Sequence, residues 1–116
     1  MESEDRADAL FHALADRTRR DILRRVLAGE HSVTTLAAKY EMSFAAVQKH
    51  VAVLERAGLV SKRRNGREQL AIGEVEAVRS VASMLGELEG VWRGRVARID
   101  ELLATERPVT RTDKGE

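Results

Sequence analysis

Apolar residues in the first half of the chain recur at helical spacing. Ala7, Leu10, Phe11 and Leu14 share one face, which predicts a helix from about Glu4 to Ala15. Asp16 is placed to cap a second helix, whose apolar stripe is Ile22, Leu23, Val26 and Leu27, and Gly29 supplies its stop. Ser32 caps a short third helix carrying Val33, Leu36 and Ala37. Ser43 caps a fourth, with Met42 and Val47 at the two positions of a hydrophobic staple. Phe44, Val47, Val51 and Leu54 then read as a buried stripe. Gly58 fits the left-handed position after that helix. Leu59 follows it, spaced to touch Leu54 as in a Schellman motif.

The period then changes. Leu59–Arg64 and Arg67–Ile72 flank Asn65-Gly66, a strong signal for a two-residue hairpin turn. With that loop Arg64 pairs with Arg67, Arg63 with Glu68, Ser61 with Leu70 and Leu59 with Ile72. Alternation puts Leu59, Leu70 and Ile72 on the core face, and Lys62, Arg64, Arg67 and Gln69 on the other. A long helix is predicted from about Glu74 to Thr105, with Val78, Val81, Leu85, Leu88, Trp92, Val96, Ile99 and Leu103 along one stripe. That stripe has more apolar positions than one small monomer needs. Pro108 ends the regular structure, and residues 107–116 are expected to be a mobile polar tail. The expected fold is mainly α with a small β-hairpin wing: a dimeric winged helix-turn-helix spanning residues 1–106.

Composition narrows the function. The chain has 116 residues, enough for one domain, and no cysteine. Disulfides, thiolate metal sites and a cysteine nucleophile are thereby excluded, and a reducing compartment fits. The acidic start MESEDRADAL lacks the layout of a signal peptide, and no apolar run approaches the roughly 20 residues of a membrane span, so a cytoplasmic protein is expected. Aromatics make up 3%, too few for a surface that stacks single-stranded bases. Net charge is only +1, but it segregates. Residues 1–16 hold five acids against Arg6, while residues 43–67 hold Lys49, Arg56, Lys62, Arg63, Arg64 and Arg67 against Glu55 alone.

Short helices, a tight turn and a basic hairpin fit double-stranded DNA. The Ser43 helix would enter the major groove N-terminus first, showing Ala45, Gln48, Lys49 and Ala52. The alanines allow close approach, Gln48 can pair with adenine, and Lys49 can reach guanine or phosphate. Lys62, Arg63, Arg64 and Arg67 would meet the backbone or the minor groove. Each charge alone could equally be solvated surface. Like charges opposite one another on a hairpin destabilise it, so an Arg64–Arg67 pair suggests a phosphate between them.

The stretch from Phe11 to Ile72 resembles the ArsR-type family of bacterial winged-helix repressors. The matching residues are Phe11, Ala13-Leu14-Ala15-Asp16, Thr18-Arg19-Arg20, Ile22-Leu23, Leu36-Ala37, Ser43, Val47, His50, Leu54, Ala57-Gly58-Leu59-Val60, Arg64 and Gly66-Arg67. The likeness covers roughly residues 7–105. It implies a homodimer with the first and last helices at the interface, here Leu10, Leu14, Leu85, Leu88, Trp92, Val96 and Ile99, repressing by occupying an operator. Ser43, Ala45, Gln48, Lys49 and His50, with the hairpin cations, become the expected DNA contacts. The Trp92–Leu103 region is similar to the family subset without metal boxes, often encoded beside a small-ligand-binding (START-like) protein. Three departures stand out. Arg17 replaces a usual proline, which would loosen the start of the second helix. Glu41 replaces a glycine and would have to turn left-handed. Gln48 replaces a common serine and would alter base preference.

Other chemistries fare worse. The third-helix segment Ser32–Ala37 has no thiol or histidine, and His12, His31 and His50 lie in three elements without ligand spacing, so no metal or cofactor is expected. His12 beside Asp8 reads as a surface helix pair. His50 reads as a hydrogen-bonded scaffold group ahead of a base contact. Trp92 reads as dimer core ahead of an effector pocket; an effector, if there is one, belongs near Met84, Leu88 and Trp92. No nucleophile–base set, phosphate loop or catalytic carboxylate pair is present. The rival reading is a protein-interaction winged helix without DNA binding, against which Lys49, Arg63, Arg64 and Arg67 argue.

Overall fold

A computed structural model describes residues 3–106; the expected tail and Pro108 lie outside the described residues. The chain divides into two compact units, one ending at Val81 and the other beginning at Ala82. In chain order the elements are α1 (Ser3–Leu14), α2 (Arg17–Ala28), β1 (His31–Ser32), α3 (Val33–Ala37), α4 (Phe44–Arg56), β2 (Val60–Asn65), β3 (Glu68–Gly73) and α5 (Val75–Glu106).

Helix ends are closed by side chains. Asp16 is extended and its carboxylate accepts from the Arg19 amide at 3.0 Å, so α2 starts firmly at Arg17 without proline. The last three carbonyls of α1 lack partners within their helix. Arginines of α2 supply them: Arg19 Nε donates to the Ala13 carbonyl at 2.7 Å, Arg19 Nη2 to that of His12 at 3.0 Å, and Arg20 Nη1 to that of Leu14 at 2.7 Å. These cations also sit at the negative end of the helix dipole. Ser32 caps α3 through the Thr35 amide, and Ser43 caps α4 through the Ala46 amide, each at 3.0 Å. Gly29 ends α2 in an extended conformation, its N–H donating to the Arg25 carbonyl. Gly58 closes α4 with φ +85°; its N–H reaches the Glu55 carbonyl and that of Leu59 reaches Leu54, both at 3.0 Å, forming the Schellman motif.

The core of the first unit joins Leu10, Ala13, Ile22, Leu23 and Val26 to Val33, Leu36, Val47, Val51 and Leu54, with Leu59, Val60, Ala71 and Val81 completing it. Phe44, expected in the buried stripe, is 46% exposed, because at the first helical position no preceding turn covers it. Leu10, expected at a dimer surface, is 1% exposed and belongs to this core.

The sheet has three antiparallel strands in the order β1-β3-β2. β1, too short to show a period, was not anticipated. The hairpin register also differs from expectation. Asn65 pairs with Glu68, Arg64 with Gln69, Arg63 with Leu70, Ser61 with Ile72 and Val60 with Gly73. A type I′ turn on Asn65-Gly66 needs positive φ at both residues, and only Gly66 adopts it, at +67°. The loop is therefore Gly66-Arg67, with glycine first, as a type II′ turn requires. Arg64 and Arg67 are not opposite each other. Val60 and Ala71 are buried, while Leu70, Ile72 and Gly73 are half-buried. Packing against α2 explains the choice. A Cβ on Gly73 would lie 2.7 Å from Leu27 Cδ2 and 3.0 Å from the Leu27 backbone nitrogen.

In the second unit, α5 exposes Leu85, Leu88, Val91, Trp92, Val96, Ile99, Leu102 and Leu103. Arg93 pairs with Glu89 at 2.8 Å, and the Arg95 guanidinium lies 5.7 Å from the Trp92 ring centre. No helix among the described residues is long and apolar enough to cross a membrane.

Two glycines should be irreplaceable for different reasons. Gly58→Ala should cost about 1–2 kcal/mol through its left-handed φ, and Gly73→Ala about 1–3 kcal/mol through overlap with Leu27. Urea unfolding at one fixed protein concentration reads both; Gly29→Ala, at an extended position with open space around it, is the control.

Candidate nucleic-acid interface

α3 and α4 are joined by a turn over residues 38–43 that is tied down at Tyr40. Its hydroxyl donates to Asp21 Oδ2 at 2.5 Å, and Arg25 Nε donates to both Asp21 Oδ2 at 3.0 Å and the Tyr40 oxygen at 3.2 Å. Arg24 also pairs with Asp21. α2 thus fixes the turn from behind. Hydrogen bonds from Tyr40 and Arg25 hold the Asp21 carboxyl below the usual aspartate range, and burial followed by the Asp21 bond pushes the Tyr40 phenol up. Glu41 is not left-handed: positive φ among the described residues occurs only at Gly58 and Gly66.

Val47, Val51 and Leu54 anchor α4 inward, which turns Phe44, Ala45, Gln48 and Lys49 outward beyond the Ser43 cap. Ala52 and His50 are half-buried. The hairpin stands beside this surface. Between them lies a cleft of about 270 Å³, lined by Phe44, Gln48, Lys62, Arg64, Arg67 and Gln69 with one carboxylate, Glu68, and by Val33 and Thr34 of α3. The four wing cations are not equivalent. Lys62 pairs with Glu55 of α4 at 3.4 Å, and Arg63 reaches both oxygens of Glu30 at 3.0 and 3.2 Å. Arg64 and Arg67 make no ion pair among the described residues. Arg64 and Arg67 therefore give no cross-strand pair to hold a phosphate between them, yet both guanidinium groups line one cleft with Gln48. Gln69 shares the face of Lys62 and Arg64, as alternation predicts. Period alone assigns Phe44 to the core, and Thr34 is brought in by the packing of α3.

His50 is held through Nδ1, 3.3 Å from Arg19 Nη1 and 3.9 Å from the Asp16 carboxylate. The Arg19 amide bond is the main reason that the Asp16 carboxyl is lowered. His31 bonds the Gly29 carbonyl, and His12 is exposed. Among the described residues no group of three His, Cys, Asp or Glu side chains could hold a metal ion.

Unpaired guanidinium groups, two side-chain amides and an exposed ring around one cleft can meet a polyanion and base edges together. A capped helix beside a cationic hairpin is the reading head of a winged helix-turn-helix DNA-binding protein. The sequence model of a helix-turn-helix domain family matches residues 14–63. An uncharacterised HTH-type transcriptional regulator, YuzN of Bacillus subtilis, is 38% identical over 81 residues, covering 64% of this chain and 88% of its own. An ArsR-like transcriptional regulator from Rhodococcus sp. RHA1 superposes with TM-score 0.75 at 28% identity, covering 86% of this chain and 94% of that one. A homodimeric winged helix-turn-helix DNA-binding domain from Mycobacterium bovis, a possible ArsR-family regulator, gives TM-score 0.62 at 26% identity, over 73% of this chain and 80% of that one. The chain belongs to the ArsR family of winged helix-turn-helix regulators. It is a DNA-binding transcriptional regulator and not an enzyme.

The Tyr40 tether predicts alkaline sensitivity. A raised phenol pKa means that its contribution to stability is complete below about pH 10, the ordinary tyrosine value, and is lost as pH rises through the folded-state value. Tyr40 is the only tyrosine in the chain, so tyrosinate absorbance reports it alone. The titration midpoint should exceed that of the urea-unfolded chain, and Tyr40→Phe should remove the alkaline loss of stability.

Proposed function

We propose that the protein is a homodimeric repressor, working in the cytoplasm, that occupies an inverted-repeat operator. In this reading the α4 surface reads bases and the hairpin grips the backbone. The observation that carries it is the shared cleft in which Gln48 of α4 meets the unpaired Arg64 and Arg67. Gln48 offers paired hydrogen bonds to adenine, while Ala45 and Phe44 suit thymine methyl groups. Lys49 reaches guanine or phosphate, and Ser43 stays occupied as the cap. Arg64 and Arg67 neutralise phosphates directly. Lys62 and Arg63 do so by exchanging carboxylate partners for phosphate, at little cost, since exposed ion pairs contribute only about 0–1 kcal/mol. His50 acts at the edge of the same surface.

The apolar stripe of α5 supports dimerisation. Soluble monomers rarely leave so continuous an apolar surface in water, and a two-fold interface would bury Leu85, Leu88, Trp92, Val96 and Ile99 against their copies. On α1, Leu14 and the 40% exposed Phe11 are the residues open to a partner. An effector that changes the angle between two reading heads would act near Met84, Leu88 and Trp92.

Sedimentation should show a dimer at micromolar concentration, and footprinting should show two half-sites with centres about 10 base pairs apart or a multiple of that. A monomer protecting one half-site would reject the assembly. Selection of bound sequences from random DNA tests the division of labour. Gln48→Ala should relax preference at particular bases, costing about 1–3 kcal/mol there. Arg64→Ala or Arg67→Ala should weaken all sequences alike and lower the salt slope by about one unit. If Arg64→Ala rewrites the selected motif while Gln48→Ala leaves it intact, the assignment is reversed.

A further inference from the structure

We infer that Arg19 is a positioning residue for DNA binding: it fixes His50 with Nδ1 as an acceptor, so that Nε2–H is the donor left to meet a phosphodiester oxygen. The inference rests on the reading that α4 faces DNA. A guanidinium carries donors only, so a hydrogen bond between Arg19 Nη1 and His50 Nδ1 at 3.3 Å requires the lone pair to be on Nδ1. In a neutral imidazole the proton is then on Nε2. His31 shows the opposite case: its Nδ1 lies 2.8 Å from the Gly29 carbonyl, an acceptor, so there Nδ1 carries the proton. Nε2 of His50 makes no hydrogen bond among the described residues, and the side chain keeps 22% of its surface open. His50 lies on the flank of α4 between the buried Val47–Val51 stripe and the exposed Lys49, where a groove-bound helix meets the sugar–phosphate edge.

Arg19 is itself held at several points. The same guanidinium donates to the carbonyls of His12 and Ala13, and its backbone amide is bound by Asp16. One side chain therefore links the C-terminus of α1, the start of α2 and the middle of α4. The charged groups facing His50 are Arg19 and Asp16, both from the α1–α2 corner. A lysine at position 19 would keep the charge but could not present the planar fork that reaches three acceptors.

The test combines long-range proton–nitrogen NMR of the histidines, recorded above the ordinary imidazole titration range, with binding of an operator selected as above. His50→Gln assigns the His50 signals by their loss. Expected are an Nε2–H tautomer for His50 in the native protein and mixed tautomers in Arg19→Lys. Arg19→Lys should also weaken binding about fivefold with an unchanged salt slope. His50→Gln, which keeps a donor near the Nε2 position, should bind within about twofold of native, and His50→Ala about tenfold more weakly, the size of one hydrogen bond. The inference is overturned if native His50 carries its proton on Nδ1, or if the tautomer changes in Arg19→Lys without loss of affinity. It is equally overturned if affinity falls with the tautomer intact, or if the Gln and Ala variants bind alike. Should Arg19→Lys fail to fold, the native tautomer and the His50 pair decide. Gln48→Ala runs in parallel: if it too leaves binding and selected motif untouched, the placement of DNA on α4 falls as well, whereas an effect at Gln48 alone rejects only the role of Arg19 and His50.

Discussion

The last turn of α1 sets the constraint on which the DNA-reading half of the molecule depends. Its three terminal carbonyls need donors: the Ala15 amide reaches that of His12, and Arg19 and Arg20 of the helix that follows reach those of His12, Ala13 and Leu14. Closing the corner in this way leaves α2 one orientation, with Ile22, Leu23 and Val26 facing inward. Those residues define the wall on which Val47, Val51 and Leu54 of α4 settle. The opposite side of α2 then carries Asp21 and Arg25, which hold Tyr40 in the turn before α4. The recognition surface is thus fixed from two sides by one helix, and nothing in it depends on a left-handed Glu41 or a proline at position 17.

The hairpin follows a different logic. Its base is neutralised, Lys62 by Glu55 and Arg63 by Glu30, while Arg64 and Arg67 toward the tip have no carboxylate partner among the described residues. Pairing at the base ties the wing to α4 and to the segment before β1. Free charge at the tip gives the field that attracts a polyanion. Both functions come from consecutive residues of one strand because alternation sends Lys62 and Arg64 toward α4, and Arg63 away from it.

What the sequence makes legible is what is decided locally. Asp16, Ser32, Ser43 and Gly58 each close a helix end within four residues of themselves, and each does so as its position predicts. The hairpin exists where the Asn65-Gly66 signal puts it, but its register rests on whether one residue or two take positive φ, which the dipeptide leaves open. Leu70 and Ile72 look like the inward positions until Gly73 is seen against Leu27, a contact between residues far apart in sequence. The same distance hides β1 and the Arg63–Glu30 pair, while the arginine bonds to α1 span only six or seven residues but depend on how the corner between two helices folds back. Phe44 and Leu10 show the limit of period alone: it finds a stripe, but how deeply each member is buried depends on which turns and helices happen to cover it.

The second unit presents the converse problem, a helix whose stability its own neighbours do not explain. Gly86, Gly90 and Gly94 lie inside α5 at intervals of four, on the side away from Leu85 and Trp92. A glycine costs about 1 kcal/mol against alanine in a helix interior, and a Cβ at Gly86 or Gly90 would have no neighbour within 4 Å among the described residues. Local propensity therefore weakens this stretch. The Arg93–Glu89 pair returns only about 0.3–0.5 kcal/mol. The term large enough to offset three glycines is burial of the apolar stripe, at roughly 1.5–3 kcal/mol for each large side chain removed from water. On the proposed assembly that burial is available only against a second copy. Helix formation beyond Val81 and dimerisation are then one equilibrium, so substituting the stripe would lower helicity as well as association.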